Sequence, residues 1–207
     1  MKKVTFGVVG IGMMGKMHLT NLVRNPYAEV LAVCARTESK VKAVQEEFHI
    51  PLGYTNVADM VANPDIDAIV VATGADAHKE ACLAACHANK HVFCEKPLAK
   101  TLEDCAEIEQ AAAENTGKFF TVGFMRRFDP SYADAKQKIR AGVIGTPIAF
   151  KGVSLDPASV LPGHLEGVKK GNYVPWFIEM VSHVADLARK FLEGEPEDTN
   201  ATGDPYV

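Results

Sequence analysis

Along residues 1–123, short apolar runs alternate with longer segments whose apolar positions recur every three or four residues. The runs at 4–9, 30–34, 68–72, 92–94 and 119–122 are rich in valine and phenylalanine, as buried strands of a parallel sheet are. A briefer extended segment is expected near Tyr54. Between them the spacing predicts helices over 16–24, 39–48, 57–62, 77–88 and 102–114. Asn25-Pro26 and Asn63-Pro64 serve as stops, and Asp76 and Thr101 as N-caps. Regular alternation of the two periods predicts βαβ units, hence an α/β fold with a doubly wound parallel sheet.

From Gly123 the pattern changes. Phe124 to Pro130 is a polar–aromatic junction, followed by a predicted helix over 131–141 and an alternating strand over 148–155. Residues 156–173 read as a long loop rich in glycine and proline, and 176–192 as a final helix. One strand and two helices cannot bury a sheet of their own. The chain therefore reads as a first domain, 1–123, and an incomplete α+β open-sheet domain, 124–207, with the whole expected to be truncated.

Composition acts mainly by exclusion. The 207 residues are 47% hydrophobic with a net charge of −4, so no basic footprint for nucleic acid or an anionic membrane is present. Met1-Lys2-Lys3 runs straight into a strand without a cleavage site, and no apolar run approaches spanning length. Five cysteines, an odd number, read as reduced thiols in a cytoplasmic protein. Cys82, Cys86, His87, His91 and Cys94 lie close together but lack the paired spacing of a zinc site, so no metal is expected.

The candidate chemistry begins at Gly10-Ile11-Gly12-Met13-Met14-Gly15, between the first strand and the first helix. Its three glycines suit a tight turn, a close backbone approach to a pyrophosphate, and close packing of helix on strand. The helix N-terminus adds free N–H groups and positive dipole for phosphate charge. A nicotinamide dinucleotide is the expected ligand. The second strand ends in Ala35-Arg36-Thr37 rather than in a carboxylate. An acid there would bind the ribose hydroxyls of NAD, whereas arginine pairs with a 2′-phosphate, which favours NADP(H). The alternative is an exposed Arg36 stacking on adenine, with either cofactor accepted.

The run at 92–94 ends in Glu95-Lys96-Pro97. Strands of an open parallel sheet deliver their carboxyl ends to the ligand crevice, so Lys96 arrives where chemistry would happen. On the final helix, Glu179, His183 and Asp186 share one face at i, i+4 and i+7. Alone, that face reads as an exposed polar stripe. Beside a dinucleotide loop and a lysine, His183 reads as the proton acceptor of a dehydrogenase, with a neighbouring carboxylate to orient the imidazole.

Taken together, Gly10-x-Gly12-x-x-Gly15, Thr73 with His78, Glu95-Lys96-Pro97 and Glu179-x-x-x-His183-x-x-Asp186 resemble the Gfo/Idh/MocA family of NAD(P)-dependent sugar and polyol oxidoreductases. Gly123 to Pro130 looks like the inositol 2-dehydrogenase branch. The resemblance implies a Rossmann domain followed by a substrate and oligomerisation domain, and a homo-oligomer at full length. It implies catalytic roles for Lys96, His183 and Glu179, and substrate contacts for these three with Met125 and Arg126. It implies cofactor contacts for the glycine loop (Gly10, Ile11, Gly12, Met13, Met14, Gly15), Ala35, Arg36, Thr73, Gly74, His78, Glu95 and Lys96. Glu179 stands where the family usually carries aspartate, lengthening that arm by a methylene. The implied reaction is hydride transfer between a cyclic polyol or sugar and NAD(P). The competing expectation is a non-catalytic NAD(P)-binding regulator, or an inactive fragment of such an enzyme.

Overall fold

The structure, a computed structural model, describes residues 2–155, 157–169, 174, 176–198, 200 and 202. The expected alternation is realised as β1 (Val4–Val9), α1 (Met13–Arg24), β2 (Ala28–Cys34), α2 (Glu38–Phe48), β3 (Leu52–Tyr54), α3 (Val57–Val61), β4 (Ala68–Val71), α4 (His78–His87), β5 (His91–Cys94), α5 (Leu102–Glu114) and β6 (Phe120–Val122). The strands form a six-stranded sheet of order β3-β2-β1-β4-β5-β6, with every pairing parallel. This is the order of the doubly wound dinucleotide-binding fold, whose winding reverses between β1 and β4 and opens a crevice at their carboxyl ends.

Both faces of the sheet are covered, which explains the unbroken apolar strands. On one face Leu19 of α1 and Val41 and Val44 of α2 pack against Val8, Val33 and Val70. On the other, Met60, Cys82, Ala85 and Ile108 of α3 to α5 pack against Ile69, Val71 and Val92. The small residues Ala81, Cys82 and Ala85 give α4 a flat face against the sheet, and Cys82 and Cys86 are core thiols. At the opposite rim from the crevice, the Lys90 ammonium donates to the carbonyls of Asn63 (2.8 Å) and Ile66 (2.7 Å). The ammonium thus ties the connection between α3 and β4 to the start of β5.

Thr101 caps α5 as expected, accepting from the Asp104 N–H at 3.1 Å. Asp76 does not cap α4. A turn closed by the Ala77 N–H on the Gly74 carbonyl (2.9 Å) carries the chain one residue past it, and Ala77 takes the cap position without a side-chain bond.

By internal contacts the chain divides into two units, Met1–Gly123 with Pro157–Glu179, and Phe124–Asp156 with Met180–Val207. The stretch expected as a loop holds a 3-10 turn (Ala158–Val160) and α7 (Leu161–Lys169). Pro162 sits in the first turn of that helix, where its missing N–H costs nothing, and Leu161 and Leu165 keep a helical apolar spacing despite Gly163 and Gly167. In the second unit a 3-10 turn (Met125–Arg127) leads to α6 (Pro130–Arg140), capped by Asp129, which accepts from the Ser131 N–H at 2.8 Å. The boundary between the units falls within α8 (Trp176–Leu192). Phe191 of α8 packs beside Tyr132 and Phe150. Residues 148–155, expected as a strand, form none, and Ile148 is 96% exposed. A strand is defined by ladder bonds to a neighbour, and no neighbouring strand stands beside this segment among the described residues. Among those residues, too, no helix is long and apolar enough to cross a membrane.

Candidate active site

The crevice is built from strand exits, and its first wall is the glycine loop. Gly10 has φ +89°, and a Cβ there would lie 2.5 Å from the Ala72 carbonyl oxygen and 2.6 Å from the Thr73 nitrogen. The turn after β1 therefore runs flush against the exit of β4. A Cβ at Gly15 would overlap the Gly10 carbonyl oxygen, which is how the first turn of α1 sits so close to β1. At Gly12 a Cβ would meet nothing within 4 Å. Gly12 is also the N-cap of α1, no side chain caps that turn, and its first turn carries no acid. Two glycines thus serve the fold, and the third leaves open space before free N–H groups.

The exit of β2 is tied to the same loop, since the Gly10 N–H donates to the Cys34 carbonyl at 2.9 Å. Ala35 follows, its N–H on the Tyr54 carbonyl (3.2 Å), and Arg36 is exposed. Burial first, and the Asp59 charge second, push the Cys34 thiol up to about 11. The unfolded chain's thiol ionises from about pH 9 upward, so unfolding releases a proton between about 9 and 11. Stability from this group is complete below that window and falls as pH rises through it. Melting temperature is accordingly expected to drop across the window more steeply in the native chain than in Cys34→Ala, and parallel curves would assign the loss elsewhere.

The exits of β4 and β5 are joined through one ring. His78 is 1% exposed; its Nδ1 faces the Pro97 carbonyl (2.9 Å) and its Nε2 the Thr73 carbonyl (3.1 Å). Neither nitrogen faces the open crevice, so the ring acts on the two loops rather than presenting an atom to a ligand. The Thr73 hydroxyl donates to the Gly74 carbonyl (3.1 Å). Glu95 continues the ladder, its N–H on the Val71 carbonyl (2.9 Å). Its carboxylate is also committed, Oε1 to His18 Nε2 (2.7 Å) and Oε2 to the Lys96 N–H (3.3 Å). His18 escaped notice in the sequence. Its only signal there is a histidine one helical turn after the third glycine, next to the buried Leu19.

Lys96 leaves β5 through a cis peptide to Pro97, and its ammonium pairs with the Glu179 carboxylate of α8, both side chains being largely buried. The longer arm of Glu179 thus spans to the lysine. His183 lies one helical turn further along α8. Asp186 is 3% exposed and is held by Arg127, whose Nε donates at 2.8 and 2.9 Å to its two oxygens. That carboxylate is therefore engaged by the arginine, a partner the helical spacing alone had not suggested. Met125 is exposed, and Arg126 donates to the Ser154 hydroxyl at 3.2 Å. The structure gathers the glycine loop, the Thr73 and Lys96 exits and Glu179 within the first unit; Met125, Arg126 and His183 belong to the second.

Residues 4–124 match the sequence profile of the Gfo/Idh/MocA oxidoreductase family, described as having an NAD-binding Rossmann fold. The chain belongs to this family. It is similar to an inositol 2-dehydrogenase of Acidothermus cellulolyticus, 38% identical over 97% of this chain and 57% of that one. It is 34% identical to the scyllo-inositol 2-dehydrogenase (NAD(+)) of Bacillus subtilis, with the same shares covered. A crystal structure of scyllo-inositol dehydrogenase from Lactobacillus casei, with NAD(H) and scyllo-inositol bound, superposes with a TM-score of 0.86 at 31% identity, covering 93% of this chain and 57% of that one. The family member described here spans a little over half the length of these relatives.

Proposed function

We propose that the protein oxidises a secondary alcohol of a cyclic polyol or sugar, inositol-like, with a nicotinamide dinucleotide as hydride acceptor. The observation that carries this reading is Lys96, which leaves the carboxyl end of β5 with its ammonium held by Glu179.

The residues present fit a dinucleotide. Gly12 leaves backbone open at the start of α1, the first turn is uncapped and without acid, and Gly10 and Gly15 permit no side chain. When bound, the nicotinamide accepts the hydride from the carbinol carbon. The chain's own residues manage the proton and the oxygen. His183 takes the hydroxyl proton on an imidazole nitrogen, and the Lys96 ammonium donates to the same oxygen as its bond to carbon becomes double. Glu179 holds that ammonium at the strand exit. The family resemblance assigns substrate contacts to Met125 and Arg126. Reduction of NAD(P)+ by a panel of inositols and hexoses tests this reading; no turnover with any of them would count against it.

For the cofactor, Ala35-Arg36 at the β2 exit supports NADP(H), although a relative's name and a bound structure carry NAD. NADPH is expected to bind about tenfold tighter than NADH in titration calorimetry, about 1.4 kcal/mol, with the difference lost in Arg36→Ala. Tighter NADH would make Arg36 a bystander. The five free thiols support a cytoplasmic setting, and homo-oligomerisation at full length is what the family resemblance implies.

A further inference from the structure

Glu95 is placed where two elements with different tasks meet. One carboxylate oxygen receives His18 from α1, the helix whose start faces the open space at Gly12. The other receives the backbone N–H of Lys96. Both side chains are mostly buried, so little water competes for the bond. The His18 ring also stands edge-on to Phe93 at 5.1 Å, which restricts its rotation. Room for the carboxylate is left by Gly123, where a Cβ would come within 3.2 Å of Glu95 Oε2 and 2.9 Å of the Phe93 ring. Gly123 is itself fastened by its N–H to the Cys94 carbonyl at 2.7 Å.

From this arrangement we propose that His18 and Glu95 are a positioning pair that holds the Lys96 backbone in register with the cofactor helix. The proposal rests on the catalytic reading of Lys96 given above. His18 touches neither reacting atom in this scheme; it acts through Glu95. A carboxylate suits the place because it accepts from both sides at once. An amide at 95 has a single accepting oxygen and an NH2 that only donates, so it cannot accept on both sides as the two carboxylate oxygens do.

The test uses His18→Phe, which keeps a ring against Phe93 and removes the donor, and His18→Gln, which restores an N–H donor. The first readout is amide hydrogen exchange in the protein without cofactor. In His18→Phe, exchange at the Lys96 amide is expected to rise at least about tenfold, while the Val92 amide in mid-strand is unchanged; His18→Gln reverses most of the rise. The second is kinetic. In His18→Phe, kcat falls about tenfold or more with NAD(P)H affinity kept, a split that a loosened fold would not produce. Unchanged exchange at Lys96 overturns the proposal, as does a parallel rise at Val92, which marks general loosening. Absence of turnover in the native chain overturns the proposed function instead, and the exchange readout then still decides the pair.

Discussion

Replacing Lys96 with methionine is expected to lower kcat for polyol oxidation by about 10²–10⁴, the range that a positioned proton-handling group supplies. The stem length is kept and only the ammonium is lost. On the proposed reading the lysine meets substrate rather than the dinucleotide phosphates, so NAD(P)H affinity should stay within about threefold, and kcat and kcat/KM should fall together. One complication is built into the site. Removing the ammonium takes from the largely buried Glu179 carboxylate its Lys96 counter-charge. The double variant Lys96→Met/Glu179→Gln removes the acid's charge as well, so a defect caused by the lost charge balance is restored there and a catalytic defect is not. A loss of cofactor affinity as large as the loss of rate would make Lys96 a cofactor ligand instead.

Gly12→Ala and Gly10→Ala should separate binding from stability. A methyl at Gly12 meets no protein atom within 4 Å, and its φ of −72° suits any residue, so the melting temperature should be unchanged. The same methyl occupies the approach to the α1 N-terminus, and dinucleotide affinity should fall more than about tenfold. Gly10→Ala meets the opposite conditions, with φ at +89° and overlap with the Ala72 carbonyl. Its cost is about 3 kcal/mol, or roughly 6–12 °C in melting temperature for a chain of this length. Scanning calorimetry and cofactor titration of the two variants check both halves. Retained affinity in Gly12→Ala would mean that no pyrophosphate crosses the loop there, and the assignment of the dinucleotide to that loop would fall.

Where elements are set by local rules, they could be read directly. The extents expected for α5 and α8, 102–114 and 176–192, are those observed, because a threonine cap begins one and an uninterrupted amphipathic period defines the other. Local rules also misled. Pro162, Gly163 and Gly167 made α7 look like loop, although the proline lies in a first turn that tolerates it. The alternation over 148–155 signalled a strand, but a strand is completed by a partner, and a period of two says nothing about whether one is at hand.

The candidate site divides along the same line. By itself the sequence determined the βαβ alternation, the glycine loop and the delivery of Lys96 to a strand exit, because each follows from backbone period or from the steric demand of one residue. Only the tertiary structure decided that Lys96 meets Glu179 across 83 residues, that Glu95 meets His18 across 77, and that His78 bridges the carbonyls of Thr73 and Pro97. Such partners share no period and no helix face. They are selected by the strand order, which sets β1 beside β4 and β4 beside β5, and by burial, which requires each polar group brought inside to find its complement there.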